Sequence, residues 1–461
     1  MTSYIKKFIL QKPAYRPMAM VSIVLFAGVA LVLSLYRSFN HDEFEAIHSG
    51  WKIFAGEKIY VDFLQQHHFM LYYVLSDLIS LVGTGVKAII ASRLLSLVMA
   101  VGVAGLVYRI AKIAYDKNVA LLSVFFLSST VIFLQKILEV RPDVPLVLFE
   151  LLAVFFLLRF FETKKLWQLL LSATTLFVSF LFLQKAVFLI FLIGLIFVYK
   201  LWKKEIVWRD FWIFWGMMAV FSGLFTWYVA ITFTWSEYFF LNWLINANLL
   251  NTFPLYKYFL ISMGQNPLVW ILFVVGIVEM IRKKTFNIIA FLALGMLSFI
   301  FATKSPFPQY YLTSMPFIVI VAPVQLFRIF EWKKQVAIFL MLATIAGSLG
   351  VLYYVSENNK KQLQKIDYVL SITDVNDRVY DGDANFNVFH KDLDYFWFST
   401  KPKTGVLTSY RLMREYDYNA YALIDKFKPK IISNSFIKTK NPAVADNYAK
   451  SDRYGDLYLR K

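Results

Sequence analysis

The chain of 461 residues contains no cysteine, which excludes disulfide bonds and thiolate metal sites. Charged residues are also scarce: they make up 17% of the chain, whereas a water-soluble domain has roughly 25%. Apolar side chains take their place, since 59% of the residues are hydrophobic and 18% are aromatic. One water-soluble core cannot bury that much apolar surface. Lipid must therefore solvate much of the chain.

Acidic residues are the scarcer charged class, with 30 Asp and Glu against 48 Lys and Arg, and the formal net charge is +18. In a soluble protein such an excess would raise the question of nucleic acid. Here 20 of the cations lie in short segments between apolar stretches, and 18 lie after residue 356. This distribution is typical of membrane topology. We therefore expect membrane lipid, and no nucleic acid, as a partner.

Eleven apolar stretches are long enough to cross a bilayer, which takes about 20 mostly apolar residues. We predict spans at 17–37, 88–109, 118–135, 143–161, 166–183, 186–202, 211–233, 266–281, 286–302, 309–328 and 335–355. The first stretch lacks a small-residue cleavage site, so it is predicted to be a retained helix and not a signal peptide. A twelfth stretch, 67–83, is shorter and contains His67, His68 and Asp77.

The positive-inside rule decides whether residues 67–83 cross the membrane. If they do not cross, the basic segments all fall on one side: 1–16, 109–118, 159–165, 200–210, 282–284 and 328–334. If they cross, basic loops fall on both sides and the asymmetry disappears. We therefore predict eleven spans in the cytoplasmic (inner) membrane, with the amino terminus in the cytoplasm. The first outer loop is then 38–87, with a juxtamembrane helix at 67–83.

The tail after residue 356 has a different composition, with 18 basic and 14 acidic residues. Its short apolar runs predict strands at 378–381, 405–408, 430–433 and 457–460, and helices at 359–370 and 419–427. The predicted fold class is thus an α-helical polytopic membrane domain, 1–356, followed by a small extracytoplasmic α/β domain, 357–461.

Acidic residues are concentrated in the first outer loop, which contains Asp42, Glu43, Glu45, Glu57 and Asp62. Asp42 and Glu43 follow the first span directly, where apolar neighbours can exclude water. Exclusion of water would raise the pKa of a carboxylate and make it a usable general base. The alternative is a helix-end acid that faces water. Five acids within 21 residues favour a functional role.

Charged residues also stand at two later outer positions. Arg141, Pro142 and Asp143 precede the fourth span. A proline and an acid suit a helix start, and the functional alternative is that Arg141 and Asp143 face a cavity shared with the first loop. Lys185 lies in an outer hairpin, against the positive-inside pattern. It either reaches along the membrane surface or contacts an anion such as a lipid phosphate.

Further outer residues complete the candidate site. Lys304 is a second outer cation, and with Arg141, Lys185 and His68 it would form a phosphate-binding cluster. The outer loop 234–265 is rich in Trp, Tyr, Phe and Asn. Such a loop is either an interfacial aromatic belt or a lid over an amphipathic substrate.

Short motifs, in order along residues 17–330, resemble those of the GT-C membrane glycosyltransferases. The first loop contains Asp42-Glu43, then Gly56-x-x-x-Tyr60-x-Asp62, then His67-His68 and Leu71-Tyr72-Tyr73. Later matches are Arg93-Leu94-Leu95-Ser96, Arg141-Pro142-Asp143, Gln184-Lys185 and Pro308-Gln309-Tyr310-Tyr311-Leu312 with Pro316. The likeness is to the branch that contains protein O-mannosyltransferases and the lipid A aminoarabinose transferase. The tail has no motif of this kind.

This resemblance implies inverting transfer of a monosaccharide from a polyprenyl-phosphate donor, such as an undecaprenyl-phosphate sugar, to a hydroxyl of a lipid, glycan or protein acceptor. It implies Asp42 as the base, with Glu43 beside it as a catalytic candidate and Asp143 as a second acid. Lys185 would contact the donor phosphate. The substrate cavity would be lined by Asp62, His67, Tyr72, Tyr310 and Tyr311.

Two departures from the family pattern concern the phosphate contact. The family has Lys-Pro-Pro where this chain has His68-Phe69-Met70, and the Gly that follows the later lysine in the family is Ala186 here, after Lys185. The contact expected at His68 is therefore in question. Because a phosphate is already a good leaving group, no metal is required, although a divalent cation is compatible with the chemistry.

Three other classes also fit a polytopic chain: a lipid-linked glycan polymerase or ligase, a lipid transporter or flippase, and a scaffold that presents the tail. Transporters often contain internal repeats and broken helices at mid-membrane. The sequence shows neither, and its candidate charges cluster at the outer rim. A transferase is the favoured interpretation.

Overall fold

The computed structural model describes residues 15–247, 254, 256–303, 306–398, 400 and 418–461. Its helices up to residue 355 are α1 (Tyr15–Tyr36), α2 (His41–Phe54), α3 (Met70–Val82), α4 (Val86–Ala114), α5 (Lys117–Ser129), α6 (Val131–Ile137), α7 (Asp143–Thr163), α8 (Leu166–Phe182), α9 (Ala186–Trp202), α10 (Trp208–Thr232), α11 (Trp235–Phe239), α12 (Lys257–Gln265), α13 (Pro267–Arg282), α14 (Ile288–Ala302), α15 (Tyr311–Val321), α16 (Pro323–Trp332) and α17 (Lys334–Val355). A π-helical turn, Phe240–Leu244, and Ile245–Ala247 extend α11, and a 3-10 turn, Pro308–Tyr310, precedes α15.

All eleven stretches predicted to span the membrane are helical in the described chain. Six helices are long and apolar enough to cross a bilayer, or eight if each of two bent pairs is one span. The three remaining stretches form α8, α9 and α14, with 17, 17 and 15 residues. These lie at or below the lower limit of about 17 residues for a spanning helix. The number of crossings and their orientation stay predictions.

The two bent pairs meet at one asparagine. Helices α5 and α6 bend by 73° at Thr130, and α12 and α13 bend by 104° at Asn266. The Asn266 side chain accepts from the Val131 backbone N–H at 2.8 Å and donates to the Ser129 carbonyl at 2.9 Å. Backbone groups freed inside a membrane must find partners within the protein. Asn266 supplies them. The expectation of no broken helices is therefore wrong, and this part of the argument against a transporter falls away.

The predicted outer loop folds into two packed helices, α2 and α3. They approach closely at Gly50, where an added Cβ would lie 2.6 Å from Leu75 Cβ, so a larger side chain would separate them. Helix α3 has 13 residues. It is therefore about 20 Å long, shorter than the roughly 30 Å hydrocarbon core.

The tail forms a small α/β unit. Its helices are α18 (Lys360–Ile372), α19 (Ala420–Phe427) and α20 (Pro442–Ala445), and its strands are β1 (Val379–Tyr380), β2 (Ile431–Ser433), β3 (Tyr448–Lys450) and β4 (Leu457–Arg460). The sheet order is β1-β2-β4-β3; β1 and β2 are parallel and the other pairs are antiparallel. The strand predicted at 405–408 lies outside the described residues, and β3 was not predicted.

Two large apolar cores organise the molecule. One lies among the membrane helices, around Phe125, Leu151 and Ile318. The other joins the outer loop to the tail, and includes Trp51 and Trp397. Helix α2 belongs to the second core, so the tail packs directly on the element that carries the predicted base. The proposed boundary between 1–356 and 357–461 is thus also an extensive contact.

Candidate functional site

Asp42 lies in the first turn of α2. The Asn40 side chain accepts a hydrogen bond from the Asp42 N–H at 3.3 Å, and the Glu43 carboxylate accepts one from the Asn40 N–H at 3.0 Å. This capping box is the local reason why the helix begins here. The Asp42 side chain is 31% exposed, and it pairs with the guanidinium of Arg141 and with His41 Nε2 at 3.0 Å.

Arg141 connects Asp42 to the acid that begins α7. Its Nε lies 3.6 Å from Asp143 Oδ2, and Lys185 Nζ donates to Asp143 Oδ1 at 2.8 Å. Lys185 Nζ also lies 3.6 Å from the centroid of the Tyr310 ring. Asp42, Arg141, Asp143, Lys185 and Tyr310 thus form one continuous row, which we call the outer charge chain. Asp143 does stand in the first turn of a helix, and it is also part of this row.

An apolar groove ends at Lys185. It is an open groove of about 280 Å³, a volume that includes solvent, and it is otherwise lined by Phe188, Met296, Phe299, Ile300, Thr303, Tyr310 and Thr313. The lining comes from α9, α14 and the start of α15. A groove of this kind suits a hydrocarbon chain, and the ammonium at its end suits an anionic head group.

The pKa of Asp42 differs from the sequence expectation. Burial alone would raise it, but the charge of Arg141 and the hydrogen bonds from His41 and Arg141 hold the pKa well below its ordinary value. The raised pKa belongs to Glu45, one turn further along α2, where burial raises it to about 7. A paired Asp42 is a weak base. It becomes a better one only if Arg141 is drawn away.

Glu43 does not face the open edge. It is fully buried, and its oxygens accept from Arg93 Nη2 at 2.6 Å and Arg93 Nε at 2.8 Å. It also accepts from the Val140 backbone N–H at 3.1 Å. Glu43 therefore joins α2, α4 and the segment before α7. This position supports a structural role and gives a substrate no access to the carboxylate, contrary to the catalytic role predicted for it.

His68 is not placed as a phosphate ligand. Its Nδ1 lies 2.5 Å from the Phe180 carbonyl oxygen, which can only accept, so Nδ1 carries the hydrogen. Its Nε2 then accepts from the Tyr238 hydroxyl at 2.8 Å. Burial lowers the pKa of His68 to about 3, so the ring is neutral. Both ring nitrogens already have neutral partners, so this geometry does not favour the phosphate contact predicted at His68, which stays a prediction.

The remaining predicted residues fall into two groups. In the first group, each residue has one buried polar atom without a hydrogen-bond partner in the described part of the chain: His67 Nδ1, Tyr72 Oη and Tyr311 Oη. Asp62 is exposed and accepts from the Lys58 backbone N–H at 2.7 Å, apart from the outer charge chain. Lys304 lies outside the described residues.

Sequence reasoning missed several polar residues around the charge chain. Gln65 donates to Glu45 and, at 3.0 Å, to Ser49 Oγ, and its own oxygen accepts from the His67 N–H at 3.2 Å. Glu45 was named only as one of the five acids of the first outer loop, although it lies three residues after Asp42 and so shares a helix face with it. Gln184 was quoted only as the neighbour of Lys185, yet its buried Oε1 has no partner among described residues.

No group of three or more His, Asp or Glu side chains is arranged to hold a metal ion in the described ranges. The chemistry available here is that of carboxylates beside fixed cations. Such a site can accept a proton at one end and stabilise a developing negative charge at the other.

Comparison with known proteins gives a family match over part of the chain. Residues 66–229 match a family described as dolichyl-phosphate-mannose-protein mannosyltransferase. This segment contains Arg141, Asp143 and Lys185, and it begins after Asp42. No curated protein matches the sequence.

Solved structures match nearly the whole chain. ArnT from Cupriavidus metallidurans, bound to undecaprenyl phosphate, has a TM-score of 0.67 and 13% identity, and the match covers 96% of this chain and 97% of that one. The archaeal oligosaccharyltransferase AglB from Archaeoglobus fulgidus, in complex with an inhibitory peptide and a dolichol-phosphate, has a TM-score of 0.53 and 12% identity, over 100% of this chain and 75% of that one.

These matches confirm the fold class. The chain is a polytopic, mostly helical membrane protein with the GT-C fold and a small tail domain that contains a sheet. The resemblance inferred from the sequence motifs is also confirmed, since the matched structures are membrane glycosyltransferases of this fold.

Proposed function

We propose that the protein is an inverting glycosyltransferase that moves a monosaccharide from a polyprenyl-phosphate donor to an acceptor hydroxyl at the extracytoplasmic face of the inner membrane. The observation that carries the proposal is the outer charge chain, in which two carboxylates alternate with two cations beside an apolar groove that ends at Lys185. The similarity to an undecaprenyl-phosphate-bound structure supports a lipid donor of this class.

The donor would lie across this site. Its prenyl chain would occupy the groove, and its phosphate would contact Lys185 and Arg141. Charge-assisted hydrogen bonds of this kind are about twice as strong as neutral ones. They favour the leaving polyprenyl phosphate, because negative charge increases on it as the sugar–oxygen bond breaks.

The position of Arg141 suggests how binding would activate the base. In the structure Arg141 pairs with Asp42 and holds the pKa of that carboxyl low. A donor phosphate beside Arg141 would compete for the guanidinium and release Asp42. The Asp42 carboxylate then takes the proton of the acceptor hydroxyl, while the oxygen of that hydroxyl bonds to the anomeric carbon of the sugar. The carbon–oxygen bond to phosphate breaks on the opposite face, and the configuration inverts.

Unpaired polar atoms indicate where the sugar would lie. Buried polar groups are nearly always hydrogen-bonded, so unpartnered ones beside a site are candidates for ligand contact. Tyr72 Oη, His67 Nδ1 and Gln184 Oε1 are such atoms among the described residues. Burial is the main cause of the lowered pKa of His67, about 4, and the charges of Lys185 and Asp143 also affect this pKa. His67 therefore lies close to the outer charge chain. Hydroxyl groups of a sugar would satisfy these atoms.

Transfer by purified protein in detergent tests this function. Polyprenyl-phosphate hexoses and pentoses are supplied with an acceptor, and release of polyprenyl phosphate is measured with formation of the glycosylated product. Asp42→Asn is expected to lower turnover by roughly a hundredfold or more, since general-base catalysis contributes 10²–10⁴-fold, while donor binding is not weakened, because the variant removes a competitor of the phosphate for Arg141. Asp77→Asn, an exposed acid in α3, is the matched control and should retain activity.

Other outcomes would favour the rival classes. Movement of labelled lipid into sealed vesicles without covalent transfer would indicate a transporter. Turnover only with oligosaccharide donors would indicate a polymerase or ligase. Near-normal turnover in Asp42→Asn would remove Asp42 as the base.

A further inference from the structure

The tail domain holds α2 at both ends, and α2 carries Asp42. At the amino-terminal end, the side chain of Gln362 in α18 binds both backbone polar groups of Phe39. Its Oε1 accepts from Phe39 N at 2.7 Å, and its Nε2 donates to Phe39 O at 2.9 Å. Asn359 continues this contact by donating from its backbone to Tyr36 O at 2.9 Å and from its side chain to Leu35 O at 2.8 Å. The turn before α2 is thus bound to the tail.

At the other end of α2, a buried group of charges joins the helix to the tail. His48 Nε2 lies 2.7 Å from Asp392 Oδ2, and His48 Nδ1 lies 2.9 Å from the Val388 carbonyl oxygen. Lys52 Nζ lies 2.8 Å from Asp392 Oδ2 and 3.0 Å from Glu57 Oε2. We call His48, Lys52, Glu57 and Asp392 the interface cluster.

The hydrogen-bond pattern fixes the charge of Asp392 in the interface cluster. The Val388 carbonyl can only accept, so His48 Nδ1 carries a hydrogen. Burial would raise the pKa of Asp392, but His48 and Lys52 lower it to about 2, so the carboxylate is ionised and also accepts. Asp392 thus binds both His48 and Lys52 through one carboxylate, and the contact depends on these particular side chains.

Backbone contacts fix the segment that follows α2 to the same part of the tail. The Leu64 N–H donates to the Tyr395 carbonyl at 3.1 Å, and Trp397 Nε1 donates to the Leu64 carbonyl at 3.2 Å. The Trp397 ring packs against His48 with centroids 4.6 Å apart. Both ends of α2 and the loop behind it are therefore held by residues 357–397.

We propose that the tail domain is a positioning part of the active site, in which Gln362 and the interface cluster hold α2 so that Asp42 faces the donor site on the membrane domain. The donor contacts come from the residues just before α7 and α9, whereas the base comes from α2, which the tail holds in addition to the contacts of Glu43 with Arg93 and Val140. Misplacement of a reacting group by about 1 Å can cost 10²-fold in rate. This inference rests on the proposed function, because it takes Asp42 as the base.

Two variants of one residue test the clamp at the amino-terminal end. Gln362→Ala removes both bonds to Phe39, whereas Gln362→Glu keeps the side-chain volume and the acceptor but loses the donor. Lys365→Ala, one turn along the same helix, is the matched control, since its partner Asp456 belongs to the tail. Turnover is divided by the number of polyprenyl-phosphate binding sites, so that unfolded protein is not counted.

We expect Gln362→Ala to lower turnover per binding site by roughly tenfold to a hundredfold, with Gln362→Glu in between and Lys365→Ala within about twofold. The donor dissociation constant should stay within about twofold in all three. Unchanged turnover per site in Gln362→Ala would overturn the proposal. So would a loss explained entirely by fewer binding sites. The glutamate variant decides the matter if the alanine variant does not accumulate.

Hydrogen exchange gives a readout that needs no transferase activity. Gln362→Ala should increase exchange of the amides at 40–50, in α2, while those of β2 and β4 stay protected. An equal increase across the tail sheet would indicate general unfolding and contradict a positioning role. If the wild-type protein transfers no sugar, the proposed function fails, and the exchange pattern still reports whether the tail holds α2.

Discussion

Helix α2 carries a charged group at each end, and the two are built differently. The outer charge chain at its start has open members: Asp42 is 31% exposed and Lys185 is 17% exposed beside an apolar groove. The interface cluster at its end is more enclosed: His48, Lys52 and Asp392 are at most 6% exposed, and only its outer member Glu57 reaches 27%. Buried charge therefore does not by itself mark an active site. An open edge beside an apolar groove is what distinguishes the outer charge chain.

The comparison also explains why one helix can serve both purposes. A closed cluster resists change, because removing one partner leaves another charge buried and unpaired. An open chain can exchange one partner for a ligand, because solvent or a phosphate can replace the lost contact. The interface cluster thus keeps α2 in place, while the outer charge chain at the other end of the helix can exchange a partner for a ligand.

The largest effect on stability is expected when the shared carboxylate of the interface cluster is removed. Asp392→Asn leaves His48 and Lys52 without their shared carboxylate, and breaking a buried ion pair in this way typically costs about 3–5 kcal/mol. Thermal unfolding in detergent should show a midpoint lower by several degrees. Asp456→Asn is the control: its side chain is 45% exposed in a pair with Lys365, and such surface pairs contribute about 0–1 kcal/mol. If both variants lowered the unfolding midpoint equally, the buried interface cluster would contribute no more to stability than an exposed ion pair, contrary to this prediction.

A smaller effect, with a defined pH dependence, is expected at Glu45. Its pKa is raised to about 7 by burial, so the folded protein binds this proton more tightly than the unfolded chain does. Stability from this group is complete below the ordinary pKa of 4.5 and is lost as the pH rises through about 7. Glu45→Gln should therefore stabilise the protein by up to about 3 kcal/mol at pH 8.5 and change it little at pH 4.

Melting temperatures of Glu45→Gln and wild type at these two pH values check the prediction. Asp62→Asn provides the comparison with an exposed acid of the same loop. A stabilisation of equal size at both pH values would mean that the titration of Glu45 is not its source.

Much of the fold was predictable from the sequence, because the length of an apolar stretch is a local property. The helices near 17–37, 143–161 and 335–355 follow from it directly. The bends at Thr130 and Asn266 do not, because their cause is a contact between residues far apart in the chain. Strand β3 was missed for a similar reason: its three residues are defined by pairing with β4.

The candidate site was predictable in part. The motifs brought Asp42, Arg141, Asp143 and Lys185 to one side of the membrane, and the structure places them in contact. The protonation states were not predictable. Asp42 has a lowered pKa because Arg141 lies 99 residues away in sequence and next to it in space. His68 is neutral because burial lowers its pKa, and Tyr238, 170 residues away in sequence, belongs to the elements that bury it and donates to its Nε2.

The smallest effects separate the two predicted phosphate contacts. Lys185→Ala removes a charge-assisted contact worth about 1.5–3 kcal/mol, so the dissociation constant for a polyprenyl phosphate should rise by roughly tenfold to a hundredfold. His68→Gln should change it by less than about twofold, because the neutral ring contributes no charge. Titration of both variants with polyprenyl phosphate measures this difference. If Lys185→Ala binds as tightly as wild type, Lys185 only stabilises Asp143, and the outer charge chain is as closed to ligands as the interface cluster.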